Sequence, residues 1–180
     1  MKKVKINHHA FNRTIIPFMI AFLLVLPVQT GNAAPPLKKL NLSGTWSLNN
    51  SKSEFGEFGQ MWASTKIVVT HKKKDLSLER TSVGQDGQTM TMTETYTIDG
   101  VECENVIFGE NKKVSTVNLT DDKSGLTIKS TLYLEFDGQE MVIGTVETFS
   151  LADDGKTLVI DATSSSDFGE ATVKFVYDLQ

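Results

Sequence analysis

The stretch LTIKSTLYLEFDGQEMVIGTVETFSL, residues 126–151, spells out two strands and the turn between them. Leu126, Ile128, Leu132, Leu134 and Phe136 fall on one side of an extended chain, and Thr127, Lys129, Thr131, Tyr133 and Glu135 on the other. Side chains alternate faces along a strand, so this pattern gives one buried and one wet face, as antiparallel sheets have. Asp137-Gly138 then supplies residues that tolerate the positive φ of a tight hairpin turn. Beyond it, 139–151 carries Met141, Ile143 and Phe149 in register with one another.

The same phrase repeats in both directions. Met90, Met92, Tyr96 and Ile98 alternate with threonines, and Val173, Phe175 and Tyr177 alternate with Thr172, Lys174 and Asp178. Turn signals stand at Lys72–Asp75, Gly84–Gly87, Asp99-Gly100, Gly109–Asn111, Asp121–Gly125, Asp154-Gly155 and Asp167–Gly169. They delimit predicted strands at 44–50, 65–72, 75–83, 88–98, 101–108, 112–120, 126–136, 139–151, 157–165 and 170–178. Short strands at such spacing, ~8–12 residues, predict an all-β fold. The simplest topology is a single antiparallel up-and-down β-barrel of about 8–10 strands, because closure removes the exposed edges that invite aggregation. An open sandwich of two sheets is the alternative. The Lys, Glu and Asp on every polar face speak against a membrane-spanning barrel, whose outer face must be apolar.

Residues 51–64 break the rhythm, setting Phe55, Phe58, Met61 and Trp62 among Gly56 and Gly59. They read as an aromatic loop or short helix joining the first two strands, either a mobile cap over the barrel mouth or a lid packed on its end.

The front of the chain reads as an export signal. Lys2, Lys3, Lys5 and Arg13 precede the nearly unbroken apolar run Ile15–Val28, and Gly31-Asn32-Ala33 offers the small residues that a signal peptidase reads. The apolar run is shorter than the ~20 residues of a spanning helix. Residues 1–33 are therefore expected to be a cleaved signal peptide, 34–41 an extended leader and 42–180 the barrel domain. That reading places the protein in the periplasm or secretes it, with no membrane association after cleavage.

The full chain has 18 basic and 22 acidic residues, and its first 33 hold four basic and no acidic ones. The remainder has 14 against 22, a formal net of −8. Such a chain is not drawn to nucleic acid or to an anionic membrane by charge. Past the signal, His71 and Cys103 stand alone as residues of their kinds, so no metal site is expected and no cofactor is implied. The same scarcity argues against a Ser-His-Asp or Cys-His hydrolase, and the chain is not expected to be an enzyme. Glu102 and Glu104 flank Cys103, which disfavours a reactive thiolate.

Leu42-Ser43-Gly44-Thr45-Trp46 resembles the opening of the lipocalin and fatty-acid-binding group of β-barrels, whose first strand carries a Gly-x-Trp that plugs one barrel end. The segments 44–49, Lys52-Ser53-x-Phe55-Gly56, Tyr96–Cys103 and Leu151–Leu158 extend this to a resemblance to lipocalin-like (calycin-type) domains of exported bacterial proteins. Two features depart from lipocalins. Lys174 is the candidate for the basic residue that stacks on the first-strand tryptophan, a place usually held by Arg, and the Thr-Asp-Tyr-like turn is absent.

The resemblance implies a carrier that binds a small, mostly apolar ligand inside the barrel. Its alternative is a filled barrel acting as a protein- or glycan-binding module. Candidate ligand-binding residues are Arg80, Met90, Met92, Glu94, Tyr96, Met141 and Glu147. The methionines would form an adaptable apolar wall. Charges on an inward face must meet a partner, water or a ligand's polar group. The functional reading is a polar floor or mouth that anchors a carboxylate or hydroxyl group; the structural reading of the same residues is an internal Arg80–Glu94 pair, or a bulge that turns Arg80 to solvent.

Overall fold

The computed structural model describes residues 39–180, apart from 57, 58, 85 and 137. The segment 1–33, most of the leader, and Phe58 of the aromatic loop lie outside the described residues.

Ten strands follow one another. They are β1 (Gly44–Leu48), β2 (Lys66–Lys72), β3 (Asp75–Val83), β4 (Thr89–Thr97), β5 (Cys103–Ile107), β6 (Asn111–Leu119), β7 (Gly125–Phe136), β8 (Gln139–Ala152), β9 (Thr157–Ser166) and β10 (Gly169–Leu179). A single helical turn, α1 (Gly59–Trp62), lies between β1 and β2. Every ladder between these strands is antiparallel, and the order β4-β3-β2-β1-β10-β9-β8-β7-β6-β5 makes an up-and-down barrel in which β1 meets β10. Trp46 pairs with Ile67 on one side and Leu179 on the other.

The ring is nearly closed rather than closed. β4 and β5 stand at the two ends of the strand order and share no ladder. A side chain does the work of a backbone there. The Thr95 N–H donates to Oδ1 of Asn105 (2.8 Å), and Nδ2 of Asn105 donates to the Thr95 carbonyl (3.1 Å). Asn105 is buried, so its amide stands in for the peptide group of a paired neighbour. Below it, the Gly100 N–H donates to the Val117 carbonyl (3.0 Å), tying the middle of the β4–β5 connection to β6.

Turn chemistry follows expectation at Gly87, Gly100, Gly109, Gly138, Gly155 and Gly169, all at positive φ. Phe108 breaks the rule with φ 48°, a left-handed conformation that costs a bulky residue strain.

One end of the barrel is a dry core. Trp46, Leu42, Ile67, Leu76, Leu78, Val117, Leu126, Ile128, Phe149, Leu158, Ile160 and Tyr177 interlock there with almost no exposure. The indole N–H of Trp46 donates to the Leu42 carbonyl (3.0 Å), so the residues before β1 fold back over this end. The expected cation over Trp46 is a correction. Lys174 sits on the outward face of β10, beside Glu54 at 4.0 Å, because its inward neighbours are Val173 and Phe175.

The aromatic loop divides. Phe55 packs on Phe175 (ring centroids 6.1 Å apart), while Trp62 is 66 % exposed. Its anchor is the Asn49–Ser53 stretch of the quoted motif. Ser53 accepts the Val176 N–H (2.9 Å), and Asn49 Nδ2 donates to Asp178 (2.6 Å).

Candidate functional site

Strand parity and the meander decide what lines each level of the barrel. The β2–β3, β4–β5, β6–β7 and β8–β9 turns share the Trp46 end, and α1 with the other turns rings the opposite end. Along β8 the inward residues begin with buried Phe149 and continue through part-exposed Glu147, Thr145, Ile143 and Met141. On β7, Leu126, Ile128 and Ser130 are buried while Leu132 and Leu134 are part-exposed. Leu158 and Ile160 of β9 are buried, whereas Ala162 and Ser164 are not. On β4, Tyr96 and Glu94 are buried, Met92 is part-exposed and Met90 is exposed. The interior thus has a dense half and a half that opens toward the α1 end.

A layer of four charges lies where the halves meet. Arg80 of β3 donates from Nε to Oε2 of Glu94 (3.0 Å) and from Nη2 to both oxygens of Glu147 (2.9 and 3.0 Å). Lys113 of β6 donates to the other Glu94 oxygen and to the Tyr96 hydroxyl (3.4 Å). The Arg80 guanidinium also lies 5.7 Å from the Phe149 ring centroid, a cation–π contact. Next to Lys113 in its strand face, the Ser115 hydroxyl meets that of Ser130 at 2.9 Å.

The electrostatics follow from this crowding. Burial alone would raise the Glu94 carboxyl, but Arg80 and then Lys113 outweigh it and hold the group at about 2. Burial would likewise lower Arg80, yet Glu147 and Glu94 push it above its ordinary value. Burial, reinforced by Glu94, raises the Tyr96 phenol, so it stays a neutral hydroxyl. Burial also raises Cys103, consistent with an inert thiol. No buried side-chain nitrogen or oxygen among the described residues lacks a partner.

The structure therefore brings together Arg80, Glu94, Tyr96 and Glu147 of the candidate residues. Met92 and Met141 lie on the open half, away from the dry core. Met90, near the β3–β4 turn, is 46 % exposed. Lys113 was not singled out from sequence, although counting back in steps of two from inward Val117 places it on the inner face. Among the described residues no group of three His, Cys, Asp or Glu side chains is arranged to hold a metal. A separate groove of about 360 Å³ runs along the outside of β2–β4 to the seam, bordered by Thr70, Ser77, Thr95 and Cys103.

No protein family's sequence profile matches the chain, and no curated protein is significantly similar to it in sequence. Among solved structures it is similar to the zebrafish ileal bile acid-binding protein complexed with cholic acid. The TM-score is 0.51 at 15 % identity, over 77 % of this chain and 98 % of that one. At that identity the likeness is one of fold: ten antiparallel up-and-down strands in a nearly closed, calycin-type β-barrel.

Proposed function

We propose that this protein binds a small, mostly apolar molecule in the open half of its barrel, above the Arg80–Glu94–Glu147–Lys113 layer. The observation that carries the reading is the exposure gradient, which recurs on β4, β7, β8 and β9 and leaves Met92, Leu132, Leu134, Met141 and Ile143 incompletely covered. Apolar side chains left in contact with water on a concave face gain by covering with a ligand of like character. The zebrafish neighbour, a bile acid-binding protein in complex with cholic acid, lends support as a fold analogy. Binding without chemical conversion completes the proposal, and the basic–apolar–small order of residues 1–33 supports action in the periplasm or outside the cell.

The test is saturable uptake of the neutral solvatochromic dye Nile red by a 34–180 chain. We expect one dye per chain with a blue-shifted emission, lost in Ile143→Glu and Leu134→Glu variants whose circular dichroism is unchanged. Dye uptake that ignores both substitutions would refute the reading. It would favour the second one, a filled barrel recognising a partner through its outer surface, for which the groove beside the seam is the supporting feature.

A further inference from the structure

Resting on that reading, we infer that the ligand is uncharged and presents a hydroxyl or carbonyl oxygen to Arg80. Charge arithmetic on the inner face is the ground. Two cations, Arg80 and Lys113, face two carboxylates, Glu94 and Glu147, and the ion pairs join all four into one balanced layer. The inward positions between this layer and the mouth are Ser82 and Met92 on β3 and β4, Leu132 and Leu134 on β7, and Ile143 and Thr145 on β8, with Ala162, Ser164 and Val173 beyond. None of these carries charge.

A carboxylate seated there would lose its water and find no spare positive charge, since both oxygens of Glu147 and both of Glu94 already occupy the cations. An ammonium would meet the same deficit with opposite sign. Burying an ion without a counter-ion is among the costliest events in a protein. A neutral oxygen faces no such penalty and finds a donor. Among the described residues Nη1 of Arg80 has no protein acceptor, and it is not one of the buried atoms. The hydroxyls of Ser82, Thr145 and Ser164 add uncharged partners along the wall.

Displacement of Nile red by 1-dodecanol, dodecanoate and dodecylammonium at pH 8 tests this with the apolar tail held constant. The alcohol should displace the dye at a concentration about tenfold or more below that of either ion. Glu147→Gln removes one negative charge while keeping the side-chain shape, and should bring dodecanoate to parity with the alcohol or past it. Dodecanoate matching the alcohol on the unaltered protein would overturn the inference while leaving the carrier reading in place. Failure of all three chains to displace a bound dye would overturn it too. Absence of dye binding altogether would remove the carrier reading itself, and the inference with it.

Discussion

Glu94→Gln tests the charge layer most directly, because Glu94 is its hub: one oxygen takes Arg80 and the other Lys113. Its carboxyl is held at about 2, against 4.5 for the free group, although burial pulls the other way. At 1.36 kcal/mol per unit, that depression is worth about 3 kcal/mol, in line with the ~3–5 kcal/mol lost when one member of a buried ion pair is removed. A folded-state value below the unfolded one contributes stability that is complete above pH 4.5 and is lost as pH falls toward 2. Urea unfolding at pH 7 should therefore move to a lower midpoint by about 1.5 M, taking a slope of ~2 kcal/mol per molar for a domain of this size. The gap between the two proteins should shrink to roughly 1 kcal/mol at pH 3. Adding Lys113→Met to the variant removes the stranded cation and should recover about half of the loss. A midpoint shift under about 0.5 M at pH 7, parallel pH profiles, or a double variant no better than additive would each refute the reasoning.

Asn105→Ala leaves the Thr95 N–H and carbonyl without their partner; we expect a loss of about 2 kcal/mol and, by NMR, a collapse of Thr95 amide protection specific to the seam. Gly125 lies where a methyl group would run into the Phe149 carbonyl, which the β7–β8 ladder holds in place. Gly125→Ala should accordingly lower the thermal midpoint by several degrees, a loss of about 2 kcal/mol, and an unchanged midpoint would mean the strands part more readily than drawn. Phe108→Gly relieves a left-handed backbone at an exposed turn and should stabilise by about 1 kcal/mol in the same urea assay. Tyr96→Phe and Tyr177→Phe should leave the alkaline absorbance change of the folded protein unaltered, since burial raises both phenols, with Glu94 adding to it at Tyr96 and Glu147 at Tyr177.

The barrel was readable because its information is local. Alternation in Leu126–Phe136 and a Gly or Asp at each reversal are properties of neighbouring residues, and they place all ten strands to within a few positions. Arg80 and Glu94 were visible for the same reason: each interrupts an apolar face in its own strand, Arg80 after Leu76 and Leu78 and Glu94 between Met92 and Tyr96. Lys113 was not, because it stands in the doublet Lys112-Lys113 with Val114 beside it, and there polarity and parity point to opposite faces. Val114 turns outward and the lysine inward, as the parity of Ser115 and Val117 in the same strand requires, and Glu94 across the seam supplies the charge that lets the lysine be buried. The seam was hidden too. Asp99-Gly100 looks like any other hairpin turn, yet the strands it joins do not ladder, and only the fold shows Asn105 reaching Thr95.

The pairing of β1 with β10 has a consequence for how the chain assembles. Every other ladder joins strands adjacent in sequence, whereas this one brings Trp46 to Leu179 and Leu48 to Tyr177. Hairpins close over a few residues in microseconds, but this contact waits on a loop of more than a hundred, and its entropy must be met before Trp46 and Tyr177 gain their burial. Assembly should therefore proceed as two growing ribbons, β1–β4 and β5–β10. Their meeting at β1–β10 is the slow step that creates an interior. Until then Arg80 and Glu94, both in the first ribbon, can already pair, while Glu147 and Lys113 wait in the second. The charge layer is thus a lock assembled from both halves, engaged only when the cylinder forms.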